Sequence, residues 1–213
     1  RGLGLRVFVN GGDGLSSAVT STSDFAEAVV DRMAAETVAL ARATAPDPHA
    51  GLPEDGFAED APDLGPPHPA ARGVPVEARI ERARESEAAA RASDPRITNS
   101  EGSEASSSFG RVHFGNTAGM RGSYESAHHG LFCSPVAKDA SGMQTDYWMS
   151  VGRRLSDLDA PAEVGREAAR RALRRLGARR VPTAEVPVVF DPVTARGLVG
   201  NLVGCLSGYA VYR

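Results

Sequence analysis

The alternation of apolar and polar residues predicts antiparallel strands interleaved with helices. Leu3–Val9 alternates between the two classes, a glycine-rich NGGDG turn follows, and LSSAVTSTS is typical of a returning strand. The glycines here lie before a strand or in the turn, and they do not open a helix. A hairpin is therefore predicted, and a dinucleotide-binding loop is not.

The clearest helical pattern runs from Asp24 to Ala43. Apolar residues recur at helical spacing with one polar break, which predicts a buried stripe made of Phe25, Val29, Met33, Glu36 and Leu40. Asp24 is suited to cap the first turn, with Glu27 three residues on in a capping-box arrangement. Pro46 ends the pattern.

Two further helices are predicted at Val76–Ala92 and Asp159–Leu176. Pro75 suits the first turn of one and Pro161 that of the other. In the later helix the buried stripe is formed by Val164, Ala168, Ala172 and Leu176, and Gly177 ends it.

Short polar segments separated by turn signals fill the region between these two helices. The segments predict an antiparallel meander, with a hairpin turn at Asn116–Gly122. Serine and threonine are dense at 103–135, so one side of this sheet is expected to face water or an extended ligand.

A proline-rich stretch, Pro46–Pro75, predicts a long loop without regular structure. It carries an acidic cluster, namely Glu54, Asp55, Glu59, Asp60 and Asp63. Such a cluster can hold a cation, but a solvated surface is the simpler interpretation.

The last thirty residues predict a short strand at Val186–Phe190 and a helix from Pro192, with one apolar side in a core. This helix carries an i, i+4 stripe of Gly200, Gly204 and Gly208, although each glycine costs an exposed helix about 1 kcal/mol against alanine. The stripe either opens a groove for a backbone or ligand, or packs closely against another helix of the chain.

Composition excludes several classes of protein. The chain has 213 residues, 41% of them apolar and 24% charged, so a packed core is expected. A net charge of −3 gives no reason to expect nucleic acid or a membrane surface as a partner. Val193–Val211 approaches membrane-spanning length, but its glycines, Arg196 and Asn201 argue against a transmembrane helix. The two cysteines form no CxxC pair, which indicates a reducing compartment.

Few side chains offer catalytic chemistry. His113 with His128 or His129 across a hairpin makes a possible zinc pair, but no third ligand has suitable spacing. His128 and His129 are adjacent, so on a strand they point to opposite faces. Cys133 has no base or oxyanion site nearby and is interpreted as a small buried thiol.

Several stretches, in this order along the chain, resemble the TldD/PmbA family. They are RGLGLRVFV, STSDF and ARATAPDPHAGLP, then DPRITNSEG and GNTAGMRGSY, and finally VGREAARRALRRLGARRVPTAEVPVVFDP. The resemblance covers nearly the whole chain and implies an α+β fold, mainly antiparallel sheet packed with helices. It places an amino-terminal domain at 1–182, truncated at its start, and the truncated beginning of a second domain at 183–213.

The resemblance also implies a function. The family forms a cytoplasmic two-subunit assembly, in which a TldD-like catalytic subunit carries HExxxH on the helix after a PVVF-like strand. The two histidines of that motif would hold zinc and its glutamate would activate water. The PmbA/TldE-type partner lacks the motif.

Aligned on that strand and helix, GNLVGC of this chain falls on HExxxH. Gly200 stands at the first histidine, Asn201 at the glutamate and Cys205 at the second histidine. The resemblance therefore implies a non-catalytic subunit that binds no zinc itself, helps to hold unfolded or extended peptides, and leaves room beside Gly204 and Gly208. Two alternatives remain: a self-sufficient metal-dependent hydrolase using His113, His128 or His129, and a peptide-binding module without a peptidase partner.

Overall fold

The computed structural model describes residues 1–53 and 73–212 and begins with a hairpin and a helix. Strands β1 (Leu3–Asn10) and β2 (Leu15–Thr22) pair antiparallel, as the alternation predicted. Helix α1 (Glu27–Ala43) packs on both strands. No helix within the two described ranges is long and apolar enough to cross a membrane.

The predicted details of α1 are partly wrong. Its N-cap is Ala26, without a side-chain cap, and Asp24 instead accepts a hydrogen bond from the Ala26 backbone N–H. The buried residues are Met33, Thr37 and Ala41, whereas Phe25 and Leu40 are exposed. Met33 is thus buried as predicted, and Thr37 packs inward because its hydroxyl forms a hydrogen bond of 2.5 Å with that of Thr20 on β2.

A four-stranded antiparallel sheet forms the centre of the described structure. Its strands are β3 (Ile97–Gly115), β4 (Arg121–Asp139), β5 (Gly142–Thr145) and β6 (Trp148–Gly152). Strand β4 pairs with β3 along one edge, and with β6 and then β5 along the other. The predicted meander is thus confirmed in direction, but its first two strands are long and not short.

The turn between β3 and β4 lies where the sequence predicted it. The amide of Met120 donates to the side-chain oxygen of Asn116, and the Asn116 amide donates to the Met120 carbonyl. Gly119 adopts a φ of 97°, a conformation that other residues rarely take. Beyond the end of β6, the tips of β3 and β4 continue as a two-stranded arm.

Helices α2 (Val76–Ala92) and α3 (Pro161–Arg174) cover one face of this sheet. The core that they enclose contains mainly small residues: Ala90, Ile97, Leu131, Cys133, Ala137, Val164, Ala168, Ala169 and Ala172. The predicted stripe of α3 is confirmed, with Leu176 partly buried, and Gly177 follows the helix at a φ of 73°.

The final segment differs most from the sequence predictions. Val186–Phe190 forms no strand, because a strand needs a hydrogen-bonded neighbour and none lies beside it in the described ranges. Helix α4 (Pro192–Cys205) forms as predicted, but it buries no residue, and a short helix α5 (Gly208–Tyr212) follows. The predicted boundary near residue 182 stays a prediction.

The acidic cluster at Glu54, Asp55, Glu59, Asp60 and Asp63 lies outside the described residues.

Candidate functional site

The candidate site derived from the sequence lies on α4. The first turn of this helix is held by a cap and by contacts with charged side chains. The Asp191 carboxylate accepts a hydrogen bond of 3.0 Å from the Val193 amide and so caps the helix. The same carboxylate lies 3.8 Å from Arg171 Nη1 and 3.7 Å from Arg174 Nη2 on α3. Two charge contacts therefore connect the first turn of α4 to the helix layer over the sheet.

The glycine stripe is not built as the sequence suggested. Helix α4 ends at Cys205, and Gly208 begins the separate helix α5, so only Gly200 and Gly204 share one helix. A Cβ added at Gly200, Gly204 or Gly208 would meet no atom within 4 Å. Neither a groove wall nor a closely packed helix lies against these glycines in the described part of the chain.

The donor atoms on α4 do not fit a catalytic zinc site. Gly200 has no side chain, Asn201 offers a neutral amide, and the exposed Cys205 offers one thiol. A catalytic zinc needs three protein ligands and an activated water. Across residues 1–53 and 73–212, no three histidine, cysteine, aspartate or glutamate side chains are grouped closely enough to hold a metal ion.

The histidines are separated by the sheet. His129 is fully buried on the helix-covered face, where its Nδ1 lies 3.0 Å from the Ser107 hydroxyl, while His128 is exposed on the opposite face. Burial, followed by the charges of His128 and Arg82, holds the pKa of His129 below its ordinary value of 6.5. Within residues 1–53 and 73–212, neither histidine belongs to a group of three side chains able to hold a metal ion.

Cys133 is the small buried thiol that the sequence predicted. It is fully buried on β4, and burial raises the pKa of its thiol. A protonated, inaccessible thiol is a poor nucleophile, so its role is packing.

The other face of the sheet is open, as the density of serine and threonine predicted. Glu104, Ser106 and Ser108 of β3 are exposed there, and no helix of the described ranges covers them. The outer edge of β3 has no strand partner in the described structure. This combination of an open face and a free edge suits an extended chain.

One charged group that the sequence pattern did not predict links α3 to the sheet. Arg171 is nearly buried, its Nε lies 3.4 Å from Asp146, and its guanidinium stacks 5.5 Å from the centre of the Trp148 ring. The helical pattern carried a clue, since Arg171 adjoins the buried stripe of α3 between Ala168 and Ala172.

Comparison with known proteins places this architecture in a family. Residues 69–176 match the family model described as the PmbA/TldA metallopeptidase central domain. The metalloprotease PmbA of Escherichia coli O157:H7 is 41% identical over 194 residues, which are 91% of this chain and 43% of that protein.

Two solved structures share the fold. A protein of Bacteroides thetaiotaomicron described as a modulator of DNA gyrase superposes with a TM-score of 0.83 at 21% identity, over 97% of this chain and 47% of that one. TldE of Thermococcus kodakarensis superposes with a TM-score of 0.57 at 18% identity, over 77% of this chain and 35% of that one.

The chain spans less than half of the length of each of these three proteins. The family model matches half of this chain, the bacterial relative is 41% identical over 91% of it, and the α+β architecture agrees with both. The chain belongs to the TldD/PmbA family of metallopeptidases.

Proposed function

We propose that this chain is a non-catalytic subunit of a TldD/TldE-type zinc metallopeptidase in the cytoplasm, and that it holds unfolded peptides for a TldD-like catalytic partner. The observation that carries the proposal is the side-chain chemistry of α4. Gly200, Asn201 and Cys205 occupy the positions that the resemblance aligns with HExxxH, and all three are exposed.

The chemistry of these three residues supports a division of labour between two subunits. Peptide hydrolysis on zinc needs a base that accepts a proton from water, and the amide of Asn201 cannot accept one at neutral pH. A single thiol at Cys205 does not retain zinc in a catalytic geometry. The metal and the base are therefore assigned to the partner.

The sheet supports the peptide-holding role. An extended peptide can add to a free strand edge through its own backbone, without a fixed sequence. Strand β3 offers such an edge over residues 97–115, and its serines place little bulk beside an incoming chain.

The test is made on the full-length protein. Purified alone, it is expected to carry no stoichiometric zinc and to cleave no unfolded peptide, whereas adding a partner with HExxxH produces cleavage. Inductively coupled plasma mass spectrometry measures the metal, and a fluorescent peptide measures turnover. Zinc-dependent cleavage by the unmodified protein alone contradicts the proposal.

A triple variant tests whether placing the HExxxH residues at these three positions is enough for activity. The triple variant Gly200→His, Asn201→Glu and Cys205→His is expected to remain inactive alone if a further ligand is also missing. Copurification with a partner carrying HExxxH distinguishes this function from that of a peptide-binding module without a peptidase partner.

A self-sufficient hydrolase is the competing function, and the metalloprotease name of the Escherichia coli relative favours it. This function requires a zinc site, and the measured zinc content of the isolated protein therefore decides between the two functions.

A further inference from the structure

A small pocket lies on the open face of the sheet, and Gly130 forms its floor. The pocket has a volume of about 320 Å³. The register places Gly130 of β4 between Ser106 of β3 and Val151 of β6 in one row across the sheet. Because Gly130 lacks a side chain, the row is low at its centre, where the Ser106 hydroxyl lies 2.8 Å from the position that a Cβ would take.

The walls of the Gly130 pocket are mainly apolar. The adjacent row consists of Glu104, Phe132 and Met149, and the side chains of Phe132 and Met149 rise beside this low centre. Met149 is 42% exposed and Val151 is 54% exposed, so their apolar surfaces face solvent. A straight aliphatic chain lying in the pocket would cover these surfaces.

One carboxylate stands at the rim. Glu104 lines the pocket, is exposed, and makes no ion pair within the described structure. It is the diagonal neighbour of Gly130 across the pair β3–β4, a relation that corresponds to about 7–8 Å between residues. An aliphatic side chain that lies over Gly130 is long enough to bring a cationic group at its end to the Glu104 carboxylate.

We propose that the Gly130 pocket binds the side chain of a lysine or arginine in an extended peptide. Both side chains combine an apolar stem with a cationic head, which matches apolar walls with a single carboxylate at the rim. The inference rests on the proposed function for the class of its ligand, a peptide, and adds a preference for basic residues. His128 also lines the pocket along β4, and Glu104 is the acidic side chain among the lining residues.

The experiment compares two capped peptides on the full-length protein without any partner subunit. One is acetyl-Ser-Ser-Lys-Ser-Ser-amide, and the other replaces lysine with norleucine, which keeps the stem and loses the charge. Binding is measured by NMR titration. The lysine peptide is expected to bind about threefold more tightly than the norleucine peptide, the scale of a solvent-exposed ion pair.

Two variants test whether Glu104 and Gly130 account for the affinities of the two peptides. Glu104→Gln is expected to abolish the difference between the peptides and to leave the norleucine affinity unchanged. Gly130→Ala is expected to weaken both peptides at least about fivefold by filling the floor. It is expected to fold, since the new Cβ would meet only the Ser106 hydroxyl at 2.8 Å and Val151 at 3.9 Å, and that hydroxyl can rotate away.

Glu81→Gln, an exposed carboxylate change on α2, is the matched control and is expected to alter neither affinity. Equal affinity for the two peptides, or full binding by Gly130→Ala, overturns the proposal. A second copy of the chain seated on this face would also overturn it, and sedimentation of the wild type and Gly130→Ala would reveal that. This experiment measures peptide binding and not proteolysis. A negative result here therefore does not decide the test of the proposed function with a catalytic partner.

Discussion

At the scale of single residues, one missing methyl group sets the distance between the two helices over the sheet. Gly165 of α3 faces the backbone of α2 so closely that a Cβ would lie 2.0 Å from the Ser86 carbonyl oxygen and 3.0 Å from the Ala90 amide nitrogen. Backbone atoms cannot rotate away as a side chain can. Any other residue at Gly165 therefore has to push the helices apart.

Gly165→Ala is accordingly expected to lower the free energy of unfolding by about 2–3 kcal/mol, the upper part of the usual cost of overpacking. Urea denaturation followed by circular dichroism measures the change. Gly197→Ala on α4 is the matched control, because its Cβ meets nothing within 4 Å and alanine favours a helix. Equal stability of Gly165→Ala and the wild type would show that α2 and α3 are not packed as described.

At the scale of elements, helix α4 contacts the rest of the described structure through its first turn. Asp191 both caps the helix and contacts Arg171 and Arg174, while every residue from Arg196 to Cys205 is exposed. Two different interactions therefore meet on one carboxylate, and substitutions can separate them.

Asp191→Ala is expected to remove about 1 kcal/mol of capping, so that the first-turn amides of α4 exchange hydrogen about fivefold faster. Asp191→Asn keeps an oxygen that accepts from Val193 and loses only the charge contacts, so most of the protection is expected to remain. Hydrogen exchange with mass spectrometry follows both variants. Equal acceleration in the two would mean that the ion pairs, and not the cap, hold the helix.

Local sequence signals predicted most helices and strands. The wrong predictions concern features that depend on contacts with distant parts of the chain. The bounds of α2 match Val76–Ala92 because Pro75 precedes its first turn and a polar turn follows it. Val186–Phe190 reads as a strand from its residues alone, but strand formation depends on a neighbour that the local sequence does not encode. On α1 the predicted burial of Met33 is confirmed, but Thr37 packs inward while Leu40 remains exposed.

For the candidate sites too, local sequence predicted some features, and others depend on distant parts of the chain. The local sequence predicted a helix that contains Gly200, Asn201 and Cys205, and α4 contains all three, while their alignment with HExxxH stays a prediction. The Gly130 pocket depends on the register of three strands, which the sequence does not specify. Its one local signal was a glycine inside a strand, in HHGLF, which often marks a close approach or a gap.

At the scale of the whole molecule, helices cover one face of the sheet and so bury His129 at the centre of the covered side. The Nε2 atom of His129 is buried without a hydrogen-bond partner in the described structure, and Arg82 of α2 places a positive charge nearby. Protonating this ring would add an unpaired charge to the packing between α2 and the sheet. The lowered pKa of His129 is therefore linked to the stability of the fold.

The sign of this linkage predicts weaker folding in mild acid. The unfolded chain takes up the proton near the ordinary pKa of 6.5, while the folded chain resists it, so the contribution is fully present above that pH and is lost as pH falls below it. The carboxylates act at lower pH: Arg96 lowers the pKa of Asp94 to about 2, and hydrogen bonds also lower the pKa values of Asp139 and Glu167. Urea unfolding at pH 7.5 and 5.5 spans the ordinary histidine pKa, and because the chain has five histidines, comparison with a variant isolates the contribution of His129. The wild type is expected to lose more stability across this interval than His129→Asn, which cannot titrate, and identical losses in the two proteins would rule out His129 as the cause.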